Sequence, residues 1–353
     1  MDIIAQITSE FHLQAWQVEN VVKLIDEGNT IPFIARYRKE AHGTLDDQML
    51  REIAERLEYL RNLDKRREEV RASIEGQEKL TEEISAALSN AATLAEIEDI
   101  YRPFKPKRRT RASIAREKGL EPLAQVLYEQ RPDCEEPLAL ALDFLNPEKG
   151  VETAEDALKG ALDIIAENLS DDATIRRRLR NLFTVCGVVR SKSAKEEDSV
   201  YAPYYDFSAP VEKIRRLSSA GNRPGRTEGF LKVSVTLDRP RAIKVISSVA
   251  LKSTESPCTR AVLEAGEDAY DRLIEPSIER EIRSALTQRA ATAAIKVFST
   301  NLRQLLLQPP VKGKVALGLD PGYRTGCKVA VVDATGRVLD TGVIYITHSE
   351  AQK

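Results

Sequence analysis

Cysteine and histidine are scarce in this sequence, with four and three among 353 residues. Cys134, Cys186, Cys258 and Cys327 stand far apart in the chain and form no CxxC pair. Neither a zinc site nor a disulfide framework is expected, and a reducing, cytoplasmic setting is the default. No run of about 18 apolar residues occurs that could span a membrane. The N-terminus, MDIIAQITSEFH, is too polar for a signal-peptide core. Net charge is also lacking. At −2 it offers no global attraction to nucleic acid or to a membrane surface, so any such binding rests on where the charges lie.

What the chain does have is 31% charged and 42% apolar residues, the balance of a soluble, helix-rich protein. Its length suits roughly two or three domains with real cores. Residues 3–27 read as two helices. The second carries Val18, Val21, Val22, Leu24 and Ile25 on one side, with Gly28 as its stop. Trp16, the single tryptophan, reads as core at a helix start. Thr44 with Asp47 forms a capping box that opens a helix of about 45 Å over roughly residues 45–74. Leu45, Met49, Ile53, Leu57, Leu60, Leu63, Val70 and Ile74 keep helical spacing along it. Arg51, Arg56, Arg61, Lys65, Arg66 and Arg67 read as a solvated face with i,i+4 pairs.

Thr81 and Thr93 cap two further short helices. Helices follow at about 113–118, 121–130, 135–145, 151–169 and 171–183, and Arg176, Arg177, Arg178 and Arg180 read as another solvated face. Residues 188–229 read as loop or linker. Phe230–Leu237 then alternates with period two and 242–249 reads as extended, together a small β hairpin. Helices resume at about 259–274 and from Pro276 to about Leu307, where Pro309-Pro310 marks a boundary. The expected fold class is mainly α, with helix-turn-helix-like and long-helix elements, the small hairpin and a short β segment at the end. The expected divisions are 1–187 (helical), 188–310 (loop, hairpin and long helix) and 311–353 (β segment).

Two basic stretches stand out against the neutral whole. In TIPFIARYRKE (30–40), Arg36, Arg38 and Lys39 flank Tyr37, a mix suited to phosphate and base contacts or to a solvated turn. In YRPFKPKRRTR (101–111), Arg102, Lys105, Lys107, Arg108, Arg109 and Arg111 occur without an acid, and two prolines favour an extended loop. Two readings stay open here. Tyr101 and Phe104 could stack on bases while the cations track a backbone, or they could anchor the loop to its own core while the cations meet acidic helices.

The stretch VALGLDPGYRTGCKVAVVD (315–333) reads as strand, glycine-bracketed turn, strand, with a third strand at about 338–346. It places Asp320 at a strand end. Asp320 is a weak candidate catalytic residue: one such aspartate can be a first Mg²⁺ ligand, but two-metal chemistry needs several carboxylates converging. Asp333 ends the second strand, at the opposite end of the hairpin, and Asp340 is no better placed. Backbone N–H groups of DPGYRTG cradling a phosphate are another use of the same turn, and a plain tight turn is a third.

TIPFIARYRKE (30–40), IYRPFKPKRRTRASIARE (100–117) and GLDPGYRTGCKVAVVD (318–333) occur in an order that resembles the bacterial transcription accessory protein family Tex, over nearly the whole chain. The resemblance implies a helical N-terminal region followed by a YqgF domain of RNase H-like α/β fold, helix-hairpin-helix modules and an RNA-binding OB-fold. By that pattern this chain stops about three strands into the YqgF domain, a truncated start of it. RRLSSAGNRPGR also stands near position 215, where the family usually has Pro-Ser-His-Arg leading to Ala-Ile-Arg-Gly. The implied function is sequence-nonspecific binding of RNA or DNA by a scaffold, with RNA polymerase or the ribosome as further partners. No enzymatic activity, cofactor, metal, membrane or small-molecule substrate is expected. The alternative is a metal-dependent nuclease of the RNase H superfamily centred on Asp320.

Overall fold

The computed structural model describes residues 2–106, 108–195, 197, 199–214, 225–309, 312–322 and 326–345. The chain divides into two compact units after Gln288. The first begins with seven helices: α1 (Ile3–Phe11), α2 (Ala15–Asp26), α3 (Ile31–Tyr37), α4 (Lys39–His42), α5 (Asp47–Glu75), α6 (Glu82–Asn90) and α7 (Leu94–Tyr101). They share one core, in which Ile7, Val18, Val21 and Ile34 meet the buried stripe of α5. That stripe is Leu50, Ile53, Leu57, Leu60, Leu63, Arg67, Val70 and Ile74, at steps of three and four residues, so one face of a 29-residue helix stays dry.

The helix does not start where the capping box suggested. Gly43 and Thr44 both take left-handed φ, 65° and 63°, to leave α4. Thr44 spends its hydroxyl on the Gly43 carbonyl at 2.7 Å, and Asp46 becomes the cap, accepting from the Met49 N–H at 2.7 Å. Nor are the α5 arginines a solvated face of i,i+4 pairs. Of these arginines, Arg51 alone makes an i,i+4 pair among the described residues, with Asp47, while Arg66 and Arg67 pair with Glu69 and Asp64 at i,i+3. Arg56 holds Glu10 of α1 at 2.6 Å, Arg61 holds Asp26 of α2 at 2.7 Å, and Arg66 holds Glu98 of α7 at 2.7 Å. Helices packed on both flanks of α5 put these carboxylates within reach of its long side chains. Such half-exposed pairs each contribute under about 1 kcal/mol.

The Glu10 pair still predicts a pH effect. Its bond from Arg56 holds the carboxyl below its ordinary 4.5, so the pair stabilises above that value and is lost as pH falls through the lowered one. Glu10→Gln is expected to melt slightly below the parent at pH 7, the two midpoints converging as the pH falls below the ordinary carboxylate value. Parallel midpoints across that range would refute it.

A second core runs from Ala112 to Leu286. It is built by α8 (Arg111–Glu117), α9 (Glu121–Glu129), α10 (Pro137–Leu142), α11 (Ala154–Asp171) and α12 (Ala173–Cys186) with a three-stranded antiparallel sheet. The sheet holds β1 (Val188–Ser193), β2 (Asp206–Pro210) and β3 (Leu231–Thr236) in the order β2-β1-β3. The predicted linker thus contains two strands. β3 does not pair with 242–249 but with β1, some 40 residues earlier, Val189 opposite Val235. Residues 239–250 form a helix, α13 (Arg239–Ala250), in which Ala242, Ile246 and Ala250 lie buried at successive turns. The β-branched residues in this segment suggested a strand, and the period-four buried face overrode that propensity.

After it, α14 (Thr259–Asp268) passes through a π segment (Ala269–Ile274) into α15 (Glu275–Leu306). The widened turns end just before Pro276, which has no N–H for the regular ladder.

In the second unit, β4 (Ala316–Asp320), β5 (Cys327–Val332) and β6 (Val338–Ile344) form the antiparallel meander expected, in the order β4-β5-β6. Among the described residues no helix is long and apolar enough to cross a membrane.

Candidate nucleic-acid interface

The first basic stretch stands on α3 and α4. Pro32 in the first turn of α3 suits a helix start, and buried Ile34 fastens the helix to the core. Arg36, Arg38 and Lys39 are all exposed. None of them makes an ion pair among the described residues. The Arg38 guanidinium lies 5.5 Å from the centre of the Phe33 ring, and Phe33 lies 5.2 Å from Tyr37. Tyr37 is 61% exposed. Three exposed cations without an ion pair among the described residues therefore stand near an open aromatic ring, Arg38 also donating to the Tyr37 carbonyl at 3.4 Å.

Residues without any apparent signal in the sequence hold that surface in place. His42 is fully buried. Its Nδ1 accepts from the Leu45 N–H at 3.1 Å, so Nε2 carries the proton and donates to the Ile34 carbonyl at 3.3 Å. Gln17 and Asn20 of α2 donate to the carbonyls of His42 and Ala41. Trp16 is not core: it is 47% exposed. Its ring lies so close over Gly43 that a Cβ there would meet the ring at 2.9 Å.

The second stretch, 101–111, resolves into two parts. The aromatics are anchors. The Tyr101 hydroxyl is 3.0 Å from the Ser73 hydroxyl, Gln77 donates to the Phe104 carbonyl at 3.0 Å, and both rings pack on the N-terminal core. Residues 102–104 form a single 3₁₀ turn. Arg102 is taken by Asp171 at 3.1 Å, and Lys105 lies 3.9 Å from Glu98. Lys107 lies outside the described residues. Arg108 and Arg111 are exposed and make no ion pair among the described residues. Arg109 is 3.9 Å from Glu117, with both side chains largely in solvent. Among the described residues of the cluster, Arg102 is thus firmly held, Lys105 and Arg109 are loosely paired, and Arg108 and Arg111 make no ion pair.

The other arginine group is a staple. Arg176 is fully buried, where a solvated face was expected. It donates to Asp99 at 2.8 Å and to Ser277 at 3.1 Å. Arg180 donates to Asp99 at 2.8 Å and to Glu281 at 2.9 Å. Burial opposes the charge on Arg180, but Asp99 and Glu281 hold it above its ordinary value. Helix α7, which leads into the basic loop, is thereby tied to α12 and α15. Arg177 and Arg178 of the same group are exposed.

Asp320 ends β4 opposite Lys328. Asp333 sits one residue beyond the Ala316–Val332 end of the same pair, about 17 Å away at 3.4 Å per residue. Its carboxylate is used in its own turn, accepting from the Thr335 N–H at 2.8 Å, the Thr335 hydroxyl at 2.7 Å and the Arg337 N–H at 3.0 Å. The Thr335 hydroxyl, with the backbone donors, holds it below its ordinary value. Asp340 accepts from the neighbouring Thr341 N–H at 2.8 Å. Among the described residues no three His, Cys, Asp or Glu converge as metal ligands. The phosphate-cradle reading of DPGYRTG falls partly on residues 323–325, outside the described ones.

Family models for the Tex-like N-terminal domain, the Tex central region and the Tex YqgF-like domain match residues 1–75, 133–298 and 314–353. The chain is 42% identical to the uncharacterised protein YdcI of Bacillus subtilis, over 96% of this chain and 48% of that one. It is 38% identical to the transcriptional accessory protein Tex of Neisseria gonorrhoeae, over 99% and 47%. It is 31% identical to the human S1 RNA-binding domain-containing protein 1, over 98% and 36%. The chain thus spans about half the length of its bacterial relatives or less. With three consecutive regions of one family matched in order, and relatives aligned over nearly all its residues, the chain belongs to the Tex family.

Proposed function

We propose that this chain is a nucleic-acid-binding scaffold of a transcription accessory protein, gripping RNA or DNA through phosphates. The observation that carries the reading is the set of exposed cations without an ion pair among the described residues, Arg36, Arg38 and Lys39 beside Tyr37 and Arg108 and Arg111 on the second loop, with Arg109 and Lys105 only loosely paired. Cations already paired in the fold gain less from a phosphate, because the existing bond must be given up. Arg102 is accordingly assigned to holding the loop rather than to the ligand. Phosphate contacts carry no base information, so binding is sequence-nonspecific, with Tyr37 offering a face on which a base can stack. The names of the relatives, one a transcriptional accessory protein and one an S1 RNA-binding protein, support the same direction. Asp320, without a converging carboxylate, is read as part of a sheet edge and not as a catalytic residue.

The test is binding measured against salt. For duplex DNA, each lost phosphate contact lowers the slope of log K against log salt by about 0.9, so Arg108→Ala with Arg109→Ala and Arg111→Ala should lower it by roughly 2.7. Arg102→Ala should leave the slope unchanged while loosening the fold. An unaltered slope in the triple variant would remove the second loop from the interface.

A further inference from the structure

Cys134 and Cys258 are 124 residues apart in sequence, yet their sulfur atoms lie 3.2 Å from one another. Cys134 is on the turn between α9 and α10, and Cys258 is the residue before α14. Both are free thiols. Ser256 stands beside them, its hydroxyl 3.4 Å from the Cys134 sulfur and accepting from the Cys258 N–H at 3.2 Å. The two turns are already fastened on one side. Gln130 donates to the Ala250 carbonyl at 2.8 Å and accepts from the Lys252 N–H at 3.1 Å. A disulfide is about 2.05 Å long, so each sulfur needs to move by only roughly 0.6 Å, well within side-chain rotation.

We propose that Cys134 and Cys258 form a reversible disulfide when the surrounding thiol pool becomes oxidising, stapling the α9–α10 turn to the start of α14. Accessibility assigns the roles. Cys134 is partly exposed and Cys258 is fully buried. The Cys134 thiolate attacks a low-molecular-weight disulfide, forming a mixed disulfide and releasing one thiolate. Cys258 gives up its proton to solvent and attacks the Cys134 sulfur, displacing the second small thiolate. Two electrons pass from the protein dithiol to the external disulfide, which leaves as two thiols. Burial pushes the Cys258 thiol up to about 12, so its thiolate is scarce and the second step is slow.

The experiment equilibrates the full chain in glutathione buffers from reducing to oxidising, quenches in acid, alkylates, and maps the peptides without reductant. The expected result is one cross-link joining the Cys134 and Cys258 peptides, with Cys186 and Cys327 alkylated throughout. The oxidised form should melt about 5 °C higher, since the bridge restricts the unfolded chain. Cys134→Ser, a change at the more exposed partner, should abolish both the cross-link and the shift. Cys134 and Cys258 remaining alkylatable in oxidised buffer, or stopping at the glutathione adduct, would overturn the proposal. A cross-link with no change in melting would overturn the stapling.

Discussion

Replacing Asp99 with alanine is expected to lower stability by about 3 kcal/mol, near the low end of what removing one member of a buried ion pair costs. Asp99 accepts from Arg176 and from both ends of the Arg180 guanidinium. Arg176 has no solvent exposure and cannot turn outward when its partner is lost. One of its terminal nitrogens already lacks a hydrogen-bond partner among the described residues. Without Asp99, Glu281 would serve two guanidiniums, and it is itself about a third exposed. Urea unfolding reads the loss directly. The effect should be smaller when Arg176→Met is added, because the stranded charge is then gone. A loss under about 1 kcal/mol in Asp99→Ala would show that the network does not hold the N-terminal helices to the central region.

Arg67→Ala should cost about as much, for a different reason. Arg67 occupies a buried position on α5, and its guanidinium donates to the Leu88 carbonyl at 2.9 Å and the Ala91 carbonyl at 3.0 Å. It also reaches Asp64 on its own helix. The two carbonyls lie at the C-terminal end of α6, where a cation suits the helix dipole. The Leu88 carbonyl also accepts the capping Ala91 N–H at a long 3.3 Å, and the Ala91 carbonyl lies past the last turn. Removing the side chain leaves the Ala91 carbonyl unsatisfied, the Leu88 carbonyl with only its long backbone bond, and a buried void. At about 1–3 kcal/mol for the orphaned group plus the lost packing, partly recovered by water, the net loss is about 3 kcal/mol. Arg67→Met restores the stem volume without the donors and should recover only the lost packing. Arg66→Ala, next to it but half-exposed, should cost under about 1 kcal/mol. Equal losses at 66 and 67 would refute the account.

The sequence by itself determined the helices with strong periodicity and clear ends. The stripe of α5, the Thr81 and Thr93 caps and the stop at Gly28 depend only on residues within a turn or two of each other, so local pattern sufficed. The β4-β5-β6 meander was legible for the same reason, because its strands are consecutive and joined by short turns. The order of three motifs also sufficed to point to the family.

What only the tertiary structure decided has a common physical origin: partners distant in the chain. β1 is a strand because β3, some 40 residues on, supplies its hydrogen bonds. Residues 242–249 are helical because the core accepts Ala242, Ile246 and Ala250 on one side. A charge says nothing about exposure until its counter-charge is located. Arg67 and Arg176 read as solvated helix faces, Arg36 and Arg108 as candidate phosphate contacts, and the first two lie buried. The same holds for the cysteines, whose wide spacing in the sequence argued against any pairing and two of which the fold brings to 3.2 Å. Local pattern placed the basic stretches, and long-range carboxylates decided which of their cations remain available.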